Sequence, residues 1–159
     1  MISDVETTYG VTSNVARLRR VLVRTPATTG DFAGAGWRQP EPALLLRQHA
    51  AFCELLAGLG CDVVRAPAVE GLVDACYMYD SAFTIGDGAV VLRSAKPARQ
   101  AEAVPAAEAL EAAGVPLVAR LEGDATADGG DLLFLDPATL VAGVRTSTRR
   151  SRATLDVTP

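Results

Sequence analysis

The stretch AGLGCDVV, residues 57–64, contains the end of a helix, a glycine stop and the start of a strand. A second stretch of the same kind, EAAGVPLV, lies about 54 residues later at 111–118. A glycine directly after a segment of helical spacing is typical of a helix C-terminus, and the valines beyond it favour a strand. The two stretches therefore predict a repeated unit in which a helix returns into a strand.

The segments before each of these stretches fit the same unit. Residues 16–26, ARLRRVLVRTP, alternate apolar and basic side chains and predict a strand, and residues 43–59 have apolar residues at helical spacing. In the second unit, AFTIGDGAVVLR at 82–93 predicts a hairpin, and an Ala/Glu-rich helix follows over about 97–113. The repeat is strand, strand, helix, strand, which predicts an α+β fold.

A third copy opens with two predicted strands, DLLFLD and TLVAGV, joined through Asp136-Pro137-Ala138. No helix and no closing strand follow them. A repeat of this kind buries its apolar face by stacking on its neighbours, so an incomplete unit exposes strand edges. We therefore expect either that another chain completes this unit or that the sequence is part of a longer protein.

The composition excludes several classes of protein. The 159 residues, 49% hydrophobic and 21% charged with a net charge of −4, are typical of one globular domain. No apolar run has the length of a membrane span, and no secretory signal precedes the first strand. Three cysteines without zinc-site spacing indicate reduced thiols, so we expect a cytoplasmic protein that binds neither membranes nor nucleic acid.

The charge is uneven along the chain. Residues 144–159, VRTSTRRSRATLDVTP, hold four arginines and one acid, whereas the preceding part of the chain is acidic. This pattern fits either a basic arm for phosphate groups or an unfolded end, and the absence of aromatic residues favours the second. We expect a domain over 1–143 and an unstructured tail over 144–159.

The densest polar cluster is GDATADGGDLLFLDP, in which Gly129-Gly130 separates Asp128 from Asp131. Two glycines let the backbone turn sharply and approach a ligand. Carboxylates at the start of a strand suit a planar guanidinium or a hard metal ion such as Mg²⁺ or Ca²⁺, and a polar turn with local Asp caps remains the alternative.

A second cluster is VDACYMYDSAF, where Asp74 and Asp80 enclose Tyr77 and Tyr79. If this segment is extended, both carboxylates point to the same side, and tyrosines beside them suit a bound cation. The alternative is a half-buried edge strand.

Basic residues and the single histidine complete the candidates. Arg93, Lys96 and Arg99 precede the second helix and suit a substrate carboxylate or simply a solvated helix start. His49 has no acidic or thiol partner nearby in sequence, so we do not expect it to be catalytic.

These motifs, in this order, resemble the guanidino-group-modifying superfamily, also called the pentein fold. The matching stretches are VLVRTP at 21–26, DACYMYD at 74–80, AVVLRSAKPARQAE at 89–102 and ATADGGDLLFLDPATLVAG at 125–143. The nearest resemblance is to dimethylarginine dimethylaminohydrolase, with arginine deiminase and the amidinotransferases as related alternatives. The resemblance implies a propeller of five ββαβ units, of which this chain would hold about two and a half.

The resemblance also implies a reaction and its residues. In the family a cysteine thiolate attacks the guanidinium carbon, an amine leaves, and water hydrolyses the thiouronium intermediate, with no metal or organic cofactor. A histidine transfers protons and an acidic residue orients it. By this resemblance Asp80 and Asp128 grip the guanidinium, with Asp128 also pairing with the histidine. By the same resemblance Arg99 would bind the substrate's α-carboxylate, Asp74 would contact its other polar groups, and Asp131 would shape the turn. Arg145 resembles the arginine of the Arg-Thr pair that follows the strand after DGGD and is also expected to bind substrate.

The catalytic pair itself has no counterpart after the DGGD motif. No cysteine follows Cys76 and no histidine follows His49. We therefore expect a fragment of a hydrolase that converts dimethylarginine to citrulline and dimethylamine, inactive as this chain. The alternatives are a non-catalytic module that binds arginine or methylated arginine, and half of a split enzyme completed by another chain. The protein partner we expect is either a second copy, in a homo-oligomer, or such a complementing chain.

Overall fold

The computed structural model describes Tyr9 and residues 15–86, 88–136 and 139–143. The first unit has strand β1 at Arg20–Arg24, helix α1 at Pro42–Gly58 and strand β2 at Asp62–Ala66. Strands β1 and β2 are parallel, with Leu22 opposite Val64. The helix is the crossover that parallel neighbours require. The strand–helix–strand order predicted for this unit is confirmed.

The second unit is the most complete. A short helix, α2, at Met78–Ser81 precedes it. Strands β3 at Ala82–Ile85 and β4 at Gly88–Val91 form an antiparallel hairpin. A 3-10 helix at Pro97–Glu102 leads into α3 at Ala103–Ala112, and β5 at Leu117–Arg120 returns parallel to β4. The sheet order β3-β4-β5 is the predicted ββαβ unit.

The third unit is represented by two strands. Strand β6 at Leu132–Asp136 and strand β7 at Thr139–Ala142 form the predicted antiparallel hairpin. The predicted domain boundary at residue 143 and the five-unit propeller stay predictions, and the tail at 144–159 lies outside the described residues. The α+β class is confirmed.

Local sequence explains where the helices begin and end. Pro42 is the first residue of α1, and the Glu41 carboxylate accepts hydrogen bonds from the backbone N–H groups of Ala43 and Leu44 at 2.9 and 2.6 Å. These bonds satisfy donors that have no partner within the helix. The helix is followed by Gly60 at φ +87°, a left-handed conformation that favours glycine.

The core lies on both faces of the β3–β4 hairpin. Ala82 and Ala89 pack with Leu110 of α3, while Phe83 and Val90 point to the opposite face. This alternation is the period of two expected of a strand. On the second face Phe134 of β6 stacks on Phe83 with ring centroids 5.4 Å apart. The second unit is therefore held between the first unit and the third hairpin.

Membrane-spanning helices and metal sites were sought among the described residues. No helix in them is both long and apolar enough to cross a membrane. No group of three or more His, Cys, Asp or Glu side chains in these ranges is placed to hold a metal ion.

Candidate functional site

The segment that carries Asp74 and Asp80 is helical. A 3-10 helix covers Val73–Cys76 and a short helix, α2, covers Met78–Ser81. The backbone N–H of Tyr77 donates to the carbonyl of Asp74, and that of Asp80 donates to the carbonyl of Tyr77, both at 3.0 Å. The extended conformation, on which the same-side argument for the two carboxylates was conditional, is therefore not adopted, and the alternative of an edge strand is wrong. Consecutive turns replace the alternation of a strand.

Both carboxylates nevertheless reach one cation, Arg99. Its Nη1 lies 2.9 Å from Asp80 Oδ2, and its Nε lies 3.7 Å from Asp74 Oδ2. The guanidinium also forms two bonds of 2.9 and 2.8 Å to Glu102, one turn further along the chain. Arg99 is only 8% exposed, whereas the Asp80 side chain is 29% exposed, so the cluster is one buried cation with three carboxylates that reach from the core to the surface.

The electrostatics of the cluster favour a charged Arg99. Burial alone would lower the pKa of Arg99, but its hydrogen bonds and attraction to Glu102 and Asp80 outweigh burial and raise it above the ordinary value. Glu102 is 3% exposed and also accepts a hydrogen bond from the Ser81 hydroxyl at 3.1 Å. Each buried charge in the cluster therefore has a partner, as burial requires.

This arrangement bears on the role expected of Arg99. Its donors point to the protein's own carboxylates, including Asp80, which the resemblance assigns to the opposite end of the substrate. Glu102 itself was not among the predicted site residues. The spacing of Arg99 and Glu102, three residues apart at a helix start, is the signal that could have identified this pair.

A loop residue forms the outer wall of the site. Trp37 donates from Nε1 to Asp74 Oδ1 at 2.8 Å, and its ring lies 5.7 Å from that of Tyr77. Together with Asp80 and Lys96, these residues line an open cavity of about 460 Å³ above the Arg99 cluster. An aromatic wall beside carboxylates suits a cation. Trp37 was missed because it lies in a Gly/Pro-rich loop far from both motifs in sequence.

The DGGD turn lies directly against α2. Asp128 precedes a 3-10 helix at Gly129–Asp131, and a Cβ on Gly129 would overlap the carbonyl oxygen of Tyr79. A Cβ on Gly130 would lie 3.6 Å from Asp80 Oδ1. Gly129 is thus needed for close approach of the turn to the protein's own backbone at Tyr79. That the two glycines let the backbone approach a ligand stays a prediction. The turn places the Asp80 carboxylate beside the segment that begins at Asp128.

The remaining acids of the motif have different surroundings. Asp128 Oδ1 is buried and has no hydrogen-bond partner among the described residues. The carbonyl of Asp131 accepts a bond from the N–H of Gly143 at 2.8 Å, so Asp131 lies where the third hairpin begins and ends. Arg145, predicted to contact substrate, lies outside the described residues.

The histidine and the cysteines of the described residues do not line this cavity, and they are poorly suited to nucleophilic attack on a guanidinium carbon. His49 has a thiol neighbour after all, since its Nδ1 is 3.8 Å from Sγ of Cys53, so the expectation that no thiol is nearby was wrong. Cys53 is completely buried. Burial raises the pKa of the Cys76 thiol, with Asp74 and Glu102 adding to this effect, and a protonated thiol is a weak nucleophile.

Comparison with known proteins gives a consistent result over part of the chain. No family model matches the sequence. DDAH2 of Homo sapiens and DDAH2 of Bos taurus are each 33% identical to the chain over 107 residues, which is 67% of this chain and 38% of each relative. The chain therefore spans well under half the length of the curated relatives it matches.

Solved structures share the fold at low identity. Dimethylarginine dimethylaminohydrolase from Pseudomonas aeruginosa, solved with citrulline, superposes with a TM-score of 0.67 and 23% identity, covering 84% of this chain and 52% of that one. The cyanobacterial arginine dihydrolase ArgZ superposes with a TM-score of 0.67 and 17% identity, covering 81% of this chain and 21% of that one.

The ββαβ unit, the carboxylate motifs and these similarities agree with one another. The chain carries part of the fold of the guanidino-group-modifying, or pentein, superfamily, and over two thirds of its length its sequence is similar to DDAH2.

Proposed function

We propose that this chain is the guanidinium-holding part of a hydrolase that acts on the guanidino C–N bond of arginine derivatives, with dimethylarginine as the first candidate substrate. The products would be citrulline and dimethylamine. The proposal rests on two acids, Asp80 in α2 and Asp128 at the start of the DGGD turn. These two turns are distant in sequence but contact each other in the fold.

One observation carries the proposal. The Gly129 contact with Tyr79 brings the DGGD turn onto α2, so Asp80 Oδ1 lies next to Gly130. The Asp128 oxygen beside this turn is buried and accepts no hydrogen bond within the described ranges. A buried carboxylate oxygen needs a donor, and a guanidinium offers several in one plane. Two carboxylates on adjacent turns match such a planar cation.

The chemistry would follow the family pattern that the sequence resembles. A thiolate forms a bond to the guanidinium carbon, the C–N bond to the amine breaks, and the amine leaves with a proton. Water then adds to the thiouronium carbon and releases citrulline and the thiol. Within this scheme Asp80 and Asp128 would bind the guanidinium, and Asp74 and Trp37 would line the cavity beside it. Asp128 would also orient the histidine that transfers protons.

The solved neighbours support the choice of substrate class. The Pseudomonas enzyme was solved with citrulline, and a related dimethylarginine dimethylaminohydrolase forms an adduct with S-methyl-L-thiocitrulline. Both ligands share the α-amino acid end and three-methylene chain of arginine, and each ends in a planar carbon that bears nitrogen in place of the guanidinium carbon. For this chain, arginine and its methylated derivatives are therefore the ligands to test.

Trp37 makes the test direct, because it is the single tryptophan of the chain and lines the cavity. We expect arginine and dimethylarginine to change its fluorescence, and neutral citrulline to bind more weakly. Asp80→Asn and Asp128→Asn should each weaken binding by about tenfold or more, since each removes a charge-assisted bond. The matched control is Asp124→Asn, an exposed acid four residues before Asp128. Equal binding by all four proteins would contradict the proposal.

The second candidate is a non-catalytic module that binds guanidinium groups. The observation favouring it is that the described residues lining the cavity include two carboxylates and two cations, Lys96 and Arg99, but no imidazole. The two candidates predict the same binding and differ in turnover, which the Discussion addresses. Arginine deiminase and amidinotransferase activities use the same carboxylates by family resemblance and are distinguished by products.

A further inference from the structure

The segment that leads into α3 carries three basic side chains, Arg93, Lys96 and Arg99, and each of them suits an anionic group of a ligand. The structure gives them different surroundings. Arg93 donates from Nη2 to the side-chain oxygen of Gln100 at 2.9 Å, and it is not among the described residues that line the cavity above the Arg99 cluster. Lys96 and Arg99 both line this cavity, so a ligand inside it would meet these two cations.

The guanidinium of Arg99 is already engaged by the protein itself. Its Nε and Nη2 donate to Glu102, its Nη1 donates to the Asp80 carboxylate, and Nη2 also donates to the backbone carbonyl of Asp74. No parallel pair of N–H donors is therefore left for the carboxylate of a ligand. To bind one in bidentate fashion, Arg99 would first have to break a charge-assisted hydrogen bond, which cancels most of the gain.

Lys96 is in the opposite situation. It is exposed at the cavity, and its ammonium forms no hydrogen bond or salt bridge with another residue that the structure describes. Its backbone is nevertheless held in place, because its N–H donates to the Ser94 hydroxyl at 3.3 Å and its carbonyl accepts from the N–H of Arg99 at 2.9 Å. An ammonium without a protein partner, on a fixed backbone, is available to an anion in the cavity.

The walls of the cavity carry both signs of charge. Asp74 and Asp80 line it together with Lys96, and its volume of about 460 Å³ is within the ~300–1,000 Å³ that is usual for small-ligand pockets. Arginine has a cation at one end and a carboxylate at the other, so it matches such a pair of walls. We propose that Lys96, rather than Arg99, binds the carboxylate of the arginine-type ligand and so selects an amino acid over a simple guanidino amine. This inference rests on the proposed function, because it requires the guanidinium to lie at Asp80.

Agmatine tests the inference directly, because it is arginine without the carboxylate. Calorimetric titration of the whole chain measures the affinity for both compounds. We expect Lys96→Gln to weaken arginine binding by about three- to tenfold, the effect of losing one charge-assisted bond at a partly exposed site. Agmatine binding should be unchanged or tighter, because the substitution removes a cation that repels it. Lys96→Arg keeps the positive charge and should retain most of the preference for arginine.

Arg120→Gln is the matched control for net charge. Arg120 is an exposed cation at the end of β5 and is not among the residues that line the cavity. Its replacement removes the same charge as Lys96→Gln, and we expect it to change the affinity for both compounds by less than about twofold. An equal loss of arginine binding in the two variants would overturn the inference, because it would come from net charge and not from contact.

The sequence offers a second readout, because Lys96 is the single lysine of the chain. Reductive methylation with ¹³C-formaldehyde labels Lys96 and the N-terminal amine, keeps their positive charge, and gives NMR signals that Lys96→Arg assigns by losing one of them. We expect arginine to shift the Lys96 signal strongly and agmatine to shift it much less. Equal shifts with the two compounds would contradict contact between Lys96 and the carboxylate.

The affinities also separate this inference from the proposed function. If the wild type binds neither arginine nor agmatine, the proposed function fails and the inference fails with it. If the wild type binds both, and Lys96→Gln weakens both equally or neither, the guanidinium site stands and the role of Lys96 is overturned.

Discussion

Gly129 is the residue at which the two acidic motifs meet. Its hydrogen-only side chain lets the DGGD turn contact the carbonyl of Tyr79. Gly129→Ala should lower the free energy of unfolding by about 1–3 kcal/mol through overpacking and should weaken arginine binding. Gly130→Ala is the matched control, because its Cβ would lie at an ordinary 3.6 Å from Asp80 Oδ1. Urea unfolding and Trp37 fluorescence measure the two effects. Equal losses of unfolding free energy in Gly129→Ala and Gly130→Ala would show that overlap with the Tyr79 carbonyl does not cause the destabilisation.

Glu102 is the residue on which the buried cation depends. It forms two of the bonds to Arg99 and is 3% exposed. Glu102→Gln should cost about 3 kcal/mol of unfolding free energy, because removing one partner leaves a buried charge partly uncompensated. Glu111→Gln, at an exposed acid in the following helix α3, should change stability by less than about 0.5 kcal/mol. A cost at Glu102 no larger than at Glu111 would mean that Asp80 and Asp74 suffice to hold Arg99.

The site could be predicted from sequence only where its residues stand in compact motifs. Asp74, Asp80 and Asp128 lie in two short stretches, so spacing and resemblance together identified them. Trp37 reaches Asp74 across 37 positions, and no local pattern reports such a contact. Glu102 was overlooked because an acid at a helix start is usually a solvated residue, and its burial depends on tertiary packing.

At the scale of elements, α1 carries a pH-sensitive residue. Burial, with a contribution from Arg65, lowers the pKa of His49 below its usual 6.5. Between the two pKa values the unfolded chain binds more protons than the folded one, so the free energy of unfolding falls as the pH drops below about 6.5. His49→Gln should lack this part of the pH dependence.

Urea unfolding of both proteins between about pH 7.5 and about pH 5.5 measures this difference, and subtraction removes the common effect of the carboxylates. We expect the free energy of unfolding of the wild type, minus that of His49→Gln, to be larger at about pH 7.5 than at about pH 5.5. A difference that does not change with pH would show that His49 titrates alike in the folded and unfolded states.

The elements that the sequence predicted well are those with a strong period. Helices α1 and α3 and the β3–β4 hairpin follow directly from apolar spacing and glycine stops. For residues 74–80 the sequence pattern was misleading, because Tyr77 and Tyr79 are two residues apart and Asp74 and Asp80 are six apart, both even spacings that fit a strand. Tertiary contacts decide the outcome there, since the helical turns carry Asp74 and Asp80 to Arg99 and set Tyr79 against the DGGD turn.

At the scale of the whole molecule, turnover separates the proposed functions. We expect the chain alone to form no citrulline from dimethylarginine above background, because thiolate and imidazole act as a unit and the cysteines and the histidine all precede the DGGD motif. A colorimetric citrulline assay measures this. Turnover that Asp128→Ala removes would show that this chain is catalytically sufficient. Turnover that appears only on adding a second polypeptide with a late cysteine and histidine would support a split enzyme.

The buried guanidinium of Arg24 joins the first two units. Arg24, 3% exposed at the end of β1, donates to the carbonyls of Pro67 after β2 and Pro105 in α3 at 2.9 and 2.6 Å. If one unit came apart while the other stayed folded, this cation would lose an acceptor without gaining full hydration. Unfolding of one unit alone is therefore unfavourable. On heating, we expect both units to unfold in one cooperative transition, with equal calorimetric and van't Hoff enthalpies.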